Sequence, residues 1–478
     1  MTAVIPKDEM HTKPLINLLR GWPSTSLLPT QLMQRATNSL LSNKKEAIPG
    51  MLYGPDEGDP RLRKNVASWL TTFYKHQEPI APERITITGG ASQSLACLLQ
   101  TFSDPIFTRN IWLVAPAYML AFRIFEDSGF HGKLRAVPED EEGIDIKYLR
   151  QELRKSEEKA RADRNNSPKL KPPRPWSKTY RHFIYAVPTF SNPSSKTMSL
   201  RRREDLVRVA REFDALVVTD DVYDMLCWRK DPQDSSLDEA VPPRLVDVDR
   251  YLDGGSEREG ADGFGNTVSN MTVSKIAGPG LRTGFVEGTE KLAYGVSQTG
   301  SSRSGGSPSQ LTACFVAETL QSGELQEYVG TLQPAYASRW RTMMAAIEAE
   351  VLPLGVTVPQ PDRDVVGGYF IWLTLPSSLN GTAVAQRAKE EENLIVAPGE
   401  LFEVPGDTHH PKTRFTHDLR LCFAWEDEAA LGEGVRRLAN VIRSMQTGDS
   451  EGLKAMQPPA DANSSGKDTP AKAPSSFW

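Results

Sequence analysis

Cysteine is scarce in this 478-residue chain. The four thiols, Cys97, Cys227, Cys314 and Cys422, show no CxxC spacing, which excludes a zinc ribbon and a dense disulfide framework and points to reduced thiols. No uninterrupted apolar stretch is long enough to span a bilayer. The opening residues lack the apolar run of a signal peptide, and Asp8 and Glu9 are out of place in a transit peptide. The expectation is a soluble, cytoplasmic protein. Neither sign of charge is in marked excess: 56 Lys and Arg against 61 Asp and Glu leave a formal charge of -5. Nucleic acid and anionic membrane are therefore not expected as partners, and a small-molecule ligand remains. There is no internal repeat, and no residue pattern suggests a metal site.

What is present is ordinary globular composition, 39% hydrophobic and 24% charged, in a chain long enough for a large domain and a smaller one. Residues 1 to about 50 read as an arm with little periodicity, carrying the turn-like run Arg20-Gly21-Trp22-Pro23-Ser24. Strands and helices then alternate. Arg84 to Thr88 reads as a strand, Gly89-Gly90 as a tight turn and Ala91 to Phe102 as a helix with an apolar face. Further apolar runs at Ile111–Val114, Phe183–Val187 and Ala215–Val218 predict a largely parallel sheet covered on both faces. Later, Val365 to Leu375 reads as a strand and Ile395 to Gly399 as another with its turn. Two polar stretches, about 154–178 and 229–266, read as surface insertions without enough apolar residues to repay ordering.

Four stretches carry chemistry. In Thr272-Val273-Ser274-Lys275-Ile276-Ala277-Gly278-Pro279-Gly280-Leu281-Arg282, a lysine among hydroxyl residues precedes a Gly-rich loop and an arginine. That suits an imine-forming cofactor carrying a phosphate, with Arg282 as the cation that keeps the Lys275 amine partly unprotonated. In Ala215-Leu216-Val217-Val218-Thr219-Asp220-Asp221-Val222-Tyr223, a carboxylate stands where an apolar strand ends, the usual ligand edge of an open α/β sheet. Asp220 could keep a pyridine nitrogen protonated, and Tyr223 could reach a ring hydroxyl. The ordinary alternative is a helix N-cap by Asp220 or Asp221. Asn192, in Asn192-Pro193 after the strand to Val187, could donate to a ring oxygen, although Asn-Pro is also a common turn. Gly89-Gly90-Ala91-Ser92-Gln93 offers backbone N–H groups and a helix start to a phosphate, with side-chain donors from Ser92 and Gln93, and plain turns look the same.

Together and in this order, these stretches resemble the fold-type I pyridoxal-phosphate enzymes of aminotransferase class I/II, close to the fungal aromatic and 2-aminoadipate aminotransferase group. The resemblance covers roughly residues 17 to 445. It implies a large domain at 55–325 with a mainly parallel sheet flanked by helices and the two insertions, and a smaller α/β domain at 326–446 joined by the arm 1–54. A disordered tail would occupy 447–478. The family's Ser-x-Ser-Lys motif falls on Thr272, Ser274 and Lys275, with Arg282 seven residues on; threonine replaces the first serine.

The resemblance assigns pyridoxal 5'-phosphate as cofactor, carried by Lys275. Ser92, Gln93, Tyr118, Asn192, Asp220, Tyr223, Thr272, Ser274 and Arg282 would contact it, Tyr118 by stacking on the ring. Tyr53, in a Tyr-x-x-x-x-Gly-x-x-x-Leu-Arg stretch, would approach the phosphate of a neighbouring subunit, implying a homodimer with shared sites. Gly21 and Arg420 would bind substrate, Arg420 through the α-carboxylate, for which a guanidinium fork is matched. The implied activity is ping-pong transfer of an amino group from an L-amino acid to a 2-oxo acid such as 2-oxoglutarate. A carbon-sulfur β-lyase or a synthase on the same scaffold shares these residues and stays open. An effector-sensing regulator would need a DNA-binding module, and no basic recognition helix precedes the arm.

Overall fold

The computed structural model describes residues 13–448 except 232, 234–236, 238–239, 360–363 and 408–409. An eight-stranded sheet organises the chain between residues 85 and 287. Its spatial order is Ile85–Thr88, Gly284–Glu287, Thr267–Thr272, Ala215–Asp220, His182–Ala186, Ile111–Ala115, Leu134–Asp140 and Gly143–Ile144. The strands from Thr267–Thr272 to Leu134–Asp140 pair in parallel. Gly284–Glu287 lies antiparallel to both its neighbours.

The central strands are apolar throughout because helices cover both faces. Alternation decides which side chain faces which layer. Leu113, Tyr185 and Val218 pack towards Leu95, Leu98, Phe122 and Phe125, whereas Trp112, Ile184 and Val217 pack towards Leu149, Leu153, Leu206 and Val248. The polar ends of the parallel strands therefore come together along one edge of the sheet. A second, antiparallel sheet orders Phe370–Thr374, Asp418–Cys422 and Ala397–Pro398. It is backed by the helices Gly381–Glu392, Glu324–Glu350 and Glu428–Thr447.

Several details differ from the sequence reading. The arm is not irregular: Thr30–Ser42 and Lys44–Met51 are helices. Leu32, Ala36 and Leu40 repeat every four residues, and this buried stripe is covered by the helix Gln310–Gln321. The short strand Ile16–Asn17 pairs in parallel with Leu394–Ile395 of the C-terminal part.

The first polar stretch begins inside a helix, Ile146–Ala162, and its remainder is tied down by Asp104. The Asp104 carboxylate accepts the backbone N–H groups of Lys169, Leu170 and Lys171 at 2.6–3.1 Å. The second stretch contains the helix Leu245–Tyr251, with Leu245, Val246 and Val248 buried. Its buried Arg244 is paired: it donates to Asp247 at 2.8 Å and to Glu287, on the strand Gly284–Glu287, at 2.6 Å. Val365–Leu375 is two strands rather than one. Val365–Gly367 pairs with Cys227–Arg229, Phe370–Thr374 pairs with Asp418–Cys422, and Gly368 at φ +72° makes the break. The tail lies outside the described residues from 449 onward.

Among the described residues no helix is long and apolar enough to cross a membrane, and no group of three or more His, Cys, Asp or Glu side chains could hold a metal ion. All four cysteines are buried.

Candidate active site

A cavity of about 400 Å³ opens at the polar edge of the large sheet. Lys275, Asp220, Asn192, Tyr118, Tyr223, Ser92, Thr272, Ser274, Arg282, Gly21 and Arg420 all line it. They arrive from separate strand ends, the arrangement that lets an open α/β sheet collect ligand groups at the carboxyl ends of its strands.

Lys275 ends a single 3-10 turn, Val273–Lys275, that follows the strand Thr267–Thr272. The Thr272 hydroxyl caps this turn by accepting the Ser274 N–H at 3.2 Å and lies 2.8 Å from the Ser274 hydroxyl. The Lys275 Nζ donates to the Gly21 carbonyl at 2.9 Å. Burial pulls its amine down to about 8, against the opposing pull of the Cys422 and Asp220 side chains. Such an amine is substantially neutral near pH 8 and can act as nucleophile or base.

Asp220 ends its strand with two unlike oxygens. Oδ2 accepts the Tyr185 hydroxyl at 2.9 Å, while Oδ1 is buried with no hydrogen-bond partner. Burial raises this carboxyl to about 6, and the Tyr185 hydrogen bond opposes the rise. A buried anionic oxygen without a donor fits a protonated ring nitrogen. Tyr118 is pushed up to about 12 by burial and by Asp220, so it remains a neutral phenol.

The anion cup forms where Ala91–Phe102 begins. Gly90 has φ +99°, and a Cβ there would come within 2.8 Å of Arg282 Nη2. Arg282 donates to the Gly89 carbonyl at 2.9 Å, so glycine is required for the guanidinium to reach the helix start. Ser92, Thr272 and Ser274 supply hydroxyls around the same volume. Gln93 does not line it. Its Oε1 accepts the Gly89 N–H at 3.0 Å and its Nε2 contacts Cys97 Sγ at 2.9 Å, so the side chain braces the turn instead.

On the opposite wall, Arg420 projects from Asp418–Cys422. Nη1 donates to Asn192 Oδ1 at 2.8 Å, Nη2 donates to the Leu19 carbonyl, and Nε has no partner. The guanidinium carbon lies 4.1 Å from the Phe370 ring centroid. Burial draws this guanidinium down to about 10, so an arriving carboxylate gains strongly by pairing with it. Gly21 makes room here as well: a Cβ would meet Phe370 Cζ at 2.7 Å. Tyr53 stands apart, 89% exposed on the surface.

Sequence reasoning passed over Tyr185, Asn270, Phe370 and Arg20, all of which line the cavity. Asn270 was within reach: two residues before Thr272 on one strand, it must share that side chain's face. Its Nδ2 donates to the Ala91 carbonyl at 3.0 Å and its buried Oδ1 is unpartnered.

Residues 15–438 match the family described as aminotransferase class I and II, and the chain belongs to that family. An uncharacterized protein of Saccharomyces cerevisiae is 34% identical over 408 residues, covering 82% of this chain and 89% of its own length. The 2-aminoadipate transaminase of Thermus thermophilus is 27% identical, covering 90% of this chain and 91% of its own. A solved structure of Pyrococcus horikoshii kynurenine aminotransferase in complex with PMP superposes with a TM-score of 0.70. It is 25% identical and covers 91% of this chain and 92% of that one. The protein is accordingly a pyridoxal-phosphate-dependent aminotransferase of fold type I.

Proposed function

We propose that this aminotransferase takes the amino group of an aromatic or 2-aminoadipate-type L-amino acid and passes it to a 2-oxo acid such as 2-oxoglutarate, in a ping-pong cycle. The observation that carries the reading is that two cationic side chains donate to one arm two residues apart. Arg420 holds the Leu19 carbonyl and Lys275 the Gly21 carbonyl, so the two grip points flank a space walled by Tyr118, Phe370 and Trp22. The relatives and structures named for 2-aminoadipate, aromatic amino acids and kynurenine support the choice of substrate class.

Bound pyridoxal phosphate would supply the electron sink that stabilises negative charge at the substrate α-carbon. Ser92, Thr272, Ser274 and Arg282 would hold its phosphate, Asp220 its ring nitrogen, and Tyr223 and the Asn192 amide its ring oxygen. Tyr118 would stack on the ring, and Gln93 would hold the cup's turn. The chain's own groups do the rest. Arg420 fixes the α-carboxylate, and Asn192 fixes the fork of Arg420 by accepting from Nη1, so the α-carbon is presented in one orientation. The Lys275 amine, brought near neutrality by burial, is the base that would take the substrate α-proton at Nζ. Phe370, Tyr118 and the Gly21 backbone keep water from the reacting carbon.

The same reading includes a homodimer with shared sites and a cytoplasmic location. Ile48, Met51, Leu52 and Tyr53 form an exposed apolar run, between 52% and 89% accessible, of the kind that marks a protein interface. Tyr53 on this run would serve a partner's phosphate cup. Four scattered, buried cysteines accord with a reducing compartment.

The test mixes purified holoenzyme with single amino acids in the absence of any 2-oxo acid. Loss of the cofactor's visible band with one equivalent of matching 2-oxo acid per site is expected. Catalytic release of pyruvate and ammonia from a cysteine conjugate with the band retained would replace transamination by β-elimination.

A further inference from the structure

Taking a proton makes Lys275 a buried cation, and the groups assigned above leave it no anion. The charged and titratable side chains that act on Nζ are Asp220, Arg420 and Cys422. Asp220 is assigned to the ring nitrogen, Arg420 is itself a cation, and burial pushes the Cys422 thiol up, so it stays neutral. The Gly21 carbonyl accepts one hydrogen at 2.9 Å. The rest of the surroundings is aromatic: the ring centroids of Tyr369 and Tyr223 lie 5.3 and 5.8 Å from Nζ. Burial raises both phenols well above their usual value, so they offer Nζ neutral π faces.

Tyr223 is committed to the cofactor's ring oxygen, whereas Tyr369 has no part in the mechanism above. Tyr369 is fully buried, and its hydroxyl donates to the backbone carbonyl of Lys275 itself at 2.9 Å. A carbonyl can only accept, so the one hydroxyl hydrogen of Tyr369 is used there, and the Tyr336 hydroxyl, 3.2 Å away, supplies the next donor. Tyr336 belongs to the helix Glu324–Glu350, and the Ser24 backbone of the arm donates towards its oxygen. Lys275 is thus held at both ends, by Gly21 at Nζ and by Tyr369 at the carbonyl. The Gly367-Gly368 break makes the second hold possible. A Cβ on Gly367 would meet the Leu226 carbonyl oxygen at 2.4 Å, and Gly368 sits at φ +72°. The chain therefore turns so that the Tyr369 ring packs 5.6 Å from that of Tyr223 and 5.1 Å from that of Tyr336.

We propose that Tyr369 is a positioning residue for Lys275: its hydroxyl fixes the lysine main chain, and its ring face receives the amine each time Nζ carries a proton. The assignment rests on the reading of Lys275 as the base. It gives one side chain two separable jobs. The hydroxyl sets the point from which the amine swings, and so the rate of proton transfer. The ring sets how readily a buried cation forms there, and so the pH at which the amine loses its proton.

The experiment compares wild type, Tyr369→Phe and Tyr369→Leu in two measurements on the full chain. One is the holoenzyme half-reaction with L-phenylalanine and with L-2-aminoadipate, followed by cofactor absorbance; the other is the pH dependence of pyridoxal-phosphate capture by apoenzyme. Tyr369→Phe removes the hydroxyl and keeps the ring. Its half-reaction kcat is expected to fall roughly 3- to 10-fold, the value of one neutral hydrogen bond, with KM and the capture midpoint unchanged. Tyr369→Leu removes the ring as well, and its capture midpoint is expected to move down by about half to one pH unit, because the protonated amine loses a stabilising face. A midpoint that stays put in Tyr369→Leu, a Tyr369→Phe kcat equal to wild type, or a loss confined to KM overturns the role of Tyr369. A Lys275→Ala variant that converts the amino acid at the wild-type rate, or a wild type that takes the amino group from neither substrate, overturns the underlying reading instead.

Discussion

The Tyr185 hydroxyl donates to Asp220 Oδ2 at 2.9 Å and leaves Oδ1 bare, so one hydrogen bond fixes which oxygen is offered to a ligand. Burial alone would raise the Asp220 carboxyl further than its value of about 6, and this bond is what opposes the rise. In Tyr185→Phe the acid side of pyridoxal-phosphate binding should move up by about one pH unit, because a hydrogen bond to the ionised form is lost. Dissociation constants measured against pH on the apoenzyme and the variant test this; the phosphate's own titration is common to both and cancels. An unmoved limb would show that Asp220 does not control binding.

Lys275 gives a base-side counterpart. With its amine at about 8, the rate of cofactor capture by apoenzyme should rise about tenfold per pH unit below pH 8 and flatten above it, since only the neutral amine attacks. Lys275→Ala should abolish covalent capture at every pH. A pH-independent capture rate in the wild type is the contrary result.

The Arg244 cluster predicts a stability effect remote from chemistry. Arg244 is fully buried, paired with Asp247 and Glu287, and its guanidinium lies 4.2 Å from the Tyr74 ring centroid. Arg244→Met leaves Asp247 with His76 and Glu287 with Arg84 as their remaining cationic partners, and should cost about 3–5 kcal/mol in unfolding free energy. Adding Asp247→Asn and Glu287→Gln should recover much of that loss, because all three act as one unit. Denaturant unfolding of the single and triple variants decides it: strict additivity would rule out the coupling.

Tyr53 tests the shared site. Sedimentation should give a dimer, and Tyr53→Phe should weaken pyridoxal-phosphate retention about tenfold, the value of one hydrogen bond to a charged oxygen. Melting of the apoenzyme should be unchanged, since Tyr53 is 89% exposed and its hydroxyl has no hydrogen bond among the described residues. A monomer with full cofactor affinity would dismiss the arrangement.

Asp220 was legible because it follows the apolar run Ala215–Val218, and Thr272 and Arg420 were legible through the motifs around them; all three line one cavity. Tyr185 was hidden because an aromatic residue inside a buried strand looks like packing until its hydroxyl is traced. Arg20 was hidden for a different reason: its environment is made by Trp425, from the far end of the chain. The stretch 229–266 misled through composition, since Arg244 and Asp247 count as solvent-seeking residues in a sequence and yet neutralise one another, with Glu287, in the interior. The helices at 30–51 were overlooked because their partner, Gln310–Gln321, is equally remote.

The closure of the arm has a consequence for biosynthesis. Arg420 and the Leu19 carbonyl that holds it are 401 positions apart, and the strand at Ile16 must wait for Leu394 before it has a neighbour. The eight-stranded sheet, by contrast, is complete by Glu287. A chain emerging from the ribosome can thus assemble the groups that grip a phosphate well before it owns a grip for an amino acid. Loop closure over such a separation is entropically late, so the substrate half of the pocket is the last to form. Nascent or partly unfolded molecules would then store the vitamin without consuming amino acids.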